Sequence, residues 1–126
     1  MFRMPPISQN PYLIVALGGA LGSMMRYGAA VLFGASPLTT FLVNVTGSFC
    51  IGALAASTGS TTIRLLLGTG VLGGFTTFSA WQLEAVLSVR LRGFTQAPLW
   101  ILFGSLGAGF ASCWLGHLVG DRLRFG

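Results

Sequence analysis

Apolar residues fall into four long runs, 12–33, 38–57, 63–89 and 97–119, separated by short polar breaks. Each run is long enough to cross a hydrocarbon core of about 30 Å as a helix. The breaks at 34–37, 58–62 and 90–96 carry the Gly, Pro, Ser and Thr residues of turns. The pattern predicts an all-α membrane protein with four transmembrane helices, 1–126 forming one four-helix domain with no residues left for a soluble one. Arg3 ahead of an apolar run suggests a signal peptide, but Pro5, Pro6 and Pro11 intervene and no small-residue cleavage site follows. The first run is therefore expected to be a retained helix.

Composition supports lipid as the solvent. Hydrophobic residues make up 53% and charged residues 7%, with a mean hydropathy of +0.80, whereas soluble domains are about one quarter charged. All seven basic residues are arginines, at 3, 26, 64, 90, 92, 122 and 124, and most flank the apolar runs. The high pI thus reflects membrane-flanking charge and not a nucleic-acid surface. Four crossings put Arg3, Arg64, Arg122 and Arg124 on one side, and Arg90 and Arg92 on the other with Arg26, if it snorkels from the first helix. Orientation follows the asymmetry of basic residues, so four against three predicts insertion both ways up and permits an antiparallel, dual-topology homodimer. A single orientation dominated by Arg3 or Arg26 is the alternative.

Small residues recur at four-residue spacing, as in Gly18 and Gly22, Ser48 and Gly52, Gly70 and Gly74, Ser105 and Gly109, and Ser112 and Gly116. Such pairs let helix backbones approach in lipid. The third run is different. A straight helix over its 27 residues would span about 40 Å, longer than the hydrocarbon core. Near its middle stands GGFTTFSAW, residues 73–81. Two readings fit: a helix broken where its freed backbone groups are buried or face water, or a kinked continuous helix whose hydroxyls bond back to their own turn.

The run Gly73-Gly74-Phe75-Thr76-Thr77-Phe78-Ser79, followed by Glu84, resembles the third-helix signature of the Fluc (CrcB) fluoride channels. Gly18-Gly19-Ala20-Leu21-Gly22 leading to Arg26 is similar to that family's first helix, Asn44 with Gly47 to its second, and the last run to its small-residue-rich fourth. The resemblance covers the whole chain. It implies an antiparallel dimer of four-helix subunits with broken third helices and a central structural sodium ion, held by the backbone carbonyls of Gly73 and Thr76. It further implies two pores that pass fluoride, with Asn44, Thr77, Phe78, Ser79, Trp81, Ser105 and Ser112 as candidates for the pathway. An aromatic ring is electropositive at its edge, so Phe78 would accept a small anion without a full positive charge, and a weak site suits conduction. Asn44 would supply an amide N–H and the serines and threonines hydroxyls.

Trp81 departs from the family, which usually has phenylalanine there; the larger indole adds an N–H donor. Glu84, the only carboxylate within the four runs, is a candidate for proton or cation coupling, or for a structural pair with Arg26 or Arg90. Arg26 either makes a vestibule attractive to anions or snorkels. A lone His117 and the intrahelical Cys50 and Cys113 offer no metal cluster or nucleophile with a base at useful spacing. An enzyme is not expected. Passive fluoride export across a bacterial-type inner membrane is the expected function. A proton-coupled multidrug exporter would need a carboxylate in the first helix, which has none, and a non-transporting membrane anchor would need no polar break. Pairing with a second related chain in place of a homodimer stays open.

Overall fold

The computed structural model describes residues 10–93 and 99–126. Arg3, Pro5, Pro6 and the expected start of the fourth helix at Ala97 lie outside the described residues. Helix α1 is Pro11–Phe33 and α2 is Pro37–Ser57. Residues 61–75 form α3, Phe78–Arg92 forms α4, and Trp100–Phe125 forms α5. Four spans are long and apolar enough to cross a membrane: α1, α2, Thr61–Arg92 and α5. The protein is thus a multi-pass, all-helical membrane protein over the described residues.

Local chemistry sets the helix ends. Asn10 Oδ1 accepts from the Tyr12 and Leu13 amides at 3.1 and 3.3 Å, with Pro11 at the first helical position where its missing N–H is harmless. Ser36 caps α2 in the same way, ahead of Pro37. Gly34 and Gly93 have φ of 84° and 70°, the left-handed region that lets the chain turn out of α1 and α4. Arg64 closes the turn after α2. Its Nε donates to Thr58 O and its Nη2 to Ala55 O, both at 2.9 Å, so its guanidinium occupies carbonyls that the end of α2 leaves without amide partners. Beyond flanking the membrane, this arginine is a helix-end anchor.

The third span is irregular. From Arg64 to Leu72 it follows wide i→i+5 turns, a form usually confined to single turns at functional sites. Helical geometry ends at Phe75. Thr76 (φ −75°, ψ 153°) and Thr77 (φ −145°, ψ 114°) are extended before α4 begins. A second wide stretch, Trp100–Gly104, opens α5. That helix continues past the expected end at 119 to Phe125, so Asp121 is also helical, with its Oδ2 3.6 Å from His117 Nε2 one turn back.

The helices meet chiefly as two pairs, α1 with α3 and α2 with α5. Both seams are built on glycine. A Cβ on Gly18 would lie 2.9 Å from Gly70 Cα, and one on Gly116 would collide with the Phe49 carbonyl oxygen. The buried apolar side chains among the described residues are Val43, Ala56, Trp81 and Ala85. Most large apolar side chains face outward, Leu32, Phe33 and Phe110 among them, as helices in lipid require.

Candidate functional site

The site is organised around the two extended residues. Thr77 is buried, and its backbone is clasped by one side chain from α2. Asn44 Oδ1 accepts from Thr77 N at 2.8 Å, and Asn44 Nδ2 donates to Thr77 O at 3.0 Å. A carboxamide offers an acceptor and a donor at the same spacing as a backbone unit. Asn44 therefore gives the Thr77 amide the acceptor that the break takes from it, and adds a donor to the carbonyl with which Thr77 opens α4. The Thr77 hydroxyl then caps α4 by accepting from the Ala80 amide at 3.3 Å. Upstream, the Thr76 amide and hydroxyl both donate to Leu72 O at 3.0 Å. The Thr76 methyl fills the space over Gly47, where a Cβ would collide with it.

Two cavities adjoin at Thr77. A groove of about 440 Å³ is bordered by Asn44, Thr77, Phe78, Trp81 and Ser105, five of the seven expected pathway residues. Ser48, Phe41 and Phe110 also line it; Ser48 sits one turn from Asn44 on α2 and Phe110 shares α5 with Ser105, a facing relation that only the α2–α5 pairing reveals. Phe78 is 61% exposed and meets the Trp81 ring at a centroid distance of 4.9 Å and an interplanar angle of 39°. Trp81 itself is buried, and its indole Nε1 donates to Ile101 O at 2.7 Å. The donor that the sequence offers to an anion is thus committed to α5.

A larger cavity, about 840 Å³, lies on the other side of Thr77 and is lined by Arg26, Thr40, Ser79 and Glu84. Ser79 belongs to this cavity and not to the aromatic groove. Ser112 borders neither. Its hydroxyl donates to Val45 O at 2.8 Å and ties α5 to α2.

The expected pairing of Glu84 with Arg26 or Arg90 is not formed. Glu84 Oε1 accepts from Thr40 Oγ1 at 2.6 Å, and Oε2 is buried without a partner. Among the described residues no arginine comes within ion-pair distance of it. The reason is geometric: Arg90 follows Glu84 by six positions and emerges about 240° around the helix, while Arg26 stands on α1 across the cavity.

The carbonyls proposed for a cation are those of Gly73 and Thr76. In a continuous helix Gly73 O would accept from Thr77 N; here that amide bonds to Asn44. Gly73 O has thereby lost its helical donor, and Thr76 O is turned out of the helical row by ψ of 153°. Two hard oxygen donors fit an alkali ion in kind.

Residues 13–117 match the family model of the CrcB-like protein, Camphor Resistance (CrcB). The chain is 48% identical over 99 residues to a fluoride-specific ion channel FluC of Caulobacter vibrioides, a match covering 70% of this chain and 78% of the relative. It is 44% identical over 121 residues to a channel of the same name in Allorhizobium ampelinum, covering 88% of this chain and 96% of the relative. Against the one in Thermus thermophilus it is 43% identical over 123 residues, covering 89% and 96%. These relatives are named as ion channels, a non-enzymatic function.

Proposed function

The chain belongs to the CrcB family, and from that membership we propose that it is a fluoride-selective channel that passively exports fluoride across a bacterial-type inner membrane. The observation that supports this most strongly is the groove beside Thr77. Phe78, which is largely exposed, shares that groove with the Ser105 hydroxyl and the Asn44 carboxamide, and the groove holds no formally charged side chain. Ring edges and neutral donors attract a small anion, and the absence of a fixed cation lets it leave. Ser79 and Arg26 continue a polar route into the larger cavity, where the arginine draws anions toward the entrance. Asn44 keeps one amide hydrogen beyond the one given to Thr77, and this is the donor it offers to fluoride. Growth of a fluoride-sensitive bacterium in fluoride medium tests the reading in cells: this chain should restore it, and failure to do so with the protein present in the membrane would count against export.

The working unit in this proposal is an antiparallel homodimer with two pores. Its support is the near balance of arginines across the membrane. In such a dimer the Gly73 and Thr76 carbonyls, freed by the extended Thr76 and Thr77, would stand near the axis. A sodium ion shared between copies would supply the positive charge those carbonyls call for, and it would hold the subunits together. A reporter fused to the C-terminus should therefore appear on both sides of the membrane. Detection on one side alone would contradict dual topology.

A further inference from the structure

The Trp81 side chain bonds from one cavity to the wall of the other. It borders the aromatic groove, while Ile101, the residue that accepts its indole N–H at 2.7 Å, borders the larger cavity. Ile101 lies within the wide turns that open α5, where backbone groups depart from the regular helical pattern. The bond therefore fastens α4 to an irregular part of α5 and forms part of the wall between the cavities. It also fixes the plane of a buried ring whose centroid is 4.9 Å from that of the exposed Phe78.

We propose that Trp81 is a positioning residue for conduction: its indole N–H is spent on Ile101, where it neutralises a carbonyl dipole that would otherwise face the anion route, and the ring so held sets the pose of Phe78. The inference rests on the channel reading and deepens it. A carbonyl oxygen beside an anion path is repulsive, because its negative end would oppose the charge that the Phe78 ring edge attracts. Phenylalanine at this position would fill part of the ring's volume but could not cover that oxygen. Fluoride would then meet Phe78 and the hydroxyls, with the indole contributing by what it covers and what it holds in place.

The test replaces Trp81 with benzothienylalanine, which keeps the bicyclic shape and exchanges the N–H for sulfur. Folding and assembly are checked by size-exclusion profile, and fluoride efflux from liposomes is compared with that of the unmodified chain. Efflux should fall about tenfold with an unchanged profile. Unchanged efflux would overturn the role of the N–H, whereas an unmodified chain that passes no fluoride would overturn the channel reading itself. A second measurement separates positioning from direct ligation. In a Trp100→Phe, Trp114→Phe background the single remaining indole ¹H–¹⁵N resonance should be insensitive to fluoride. A saturable shift with fluoride and not with chloride would show the indole to be an anion ligand and overturn the proposal.

Discussion

Replacing Asn44 with aspartate is expected to reduce fluoride efflux roughly a hundredfold or more, because it damages the site twice. Asn44 donates to Thr77 O and accepts from Thr77 N. Aspartate can still accept, but it has no donor when ionised, so a buried carbonyl is left facing a carboxylate. Loss of that donor costs about 1 kcal/mol, and the repulsion between the two oxygens adds to it. A negative charge would also be placed in a groove that otherwise attracts anions through ring edges and neutral donors. Asn44→Ser separates the two effects, since a hydroxyl restores a donor without charge but is too short to span Thr77. It should destabilise the protein to a similar degree while retaining measurable efflux. Thermal unfolding in detergent, read beside efflux, distinguishes them. Undiminished efflux from Asn44→Asp would remove this residue from the pathway.

The second large effect is expected at the α2–α5 seam. Gly116 brings α5 so close to α2 that an added Cβ would collide with the Phe49 carbonyl oxygen, and Gly52 meets the Cys113 carbonyl in the same way. The obstacle is backbone, which cannot rotate aside as a side chain does. Gly116→Leu should therefore push the helices apart, stretch the bond from Ser112 Oγ to Val45 O, and destabilise the fold by about 3 kcal/mol or more. Loss of the monodisperse peak in size-exclusion chromatography is the expected result. Gly28→Ala is the control, because nothing lies within 4 Å of a Cβ there. Equal behaviour of the two variants would contradict the close seam.

How far the sequence reaches can be judged from particular residues. The four spans were legible because apolar runs of helix length need no tertiary information. The break at 34–37 was legible as a turn, and within it Ser36 and Pro37 cap and open α2. The family was legible in the 73–79 run together with Asn44 and Arg26. Relations between helices were not. Nothing in the order of residues says that the Trp81 N–H meets Ile101 O or that Thr40, and no arginine, holds Glu84. Each depends on the rotation of one helix against another, which small residues permit without specifying. The wide turns at Arg64–Leu72 and Trp100–Gly104 were equally hidden. Ser105 borders the groove and Ser112, two turns further along the same helix, bonds to Val45 O, a difference set by what α2 presents at each level.

The central claim is selective passage of fluoride, and anion efflux from liposomes containing the purified protein tests it most directly. Fluoride release is read with an ion-selective electrode and the experiment is repeated with chloride under the same driving voltage. Fast fluoride release with negligible chloride release is expected. Equal release of both ions, or no release from the folded protein, would contradict it.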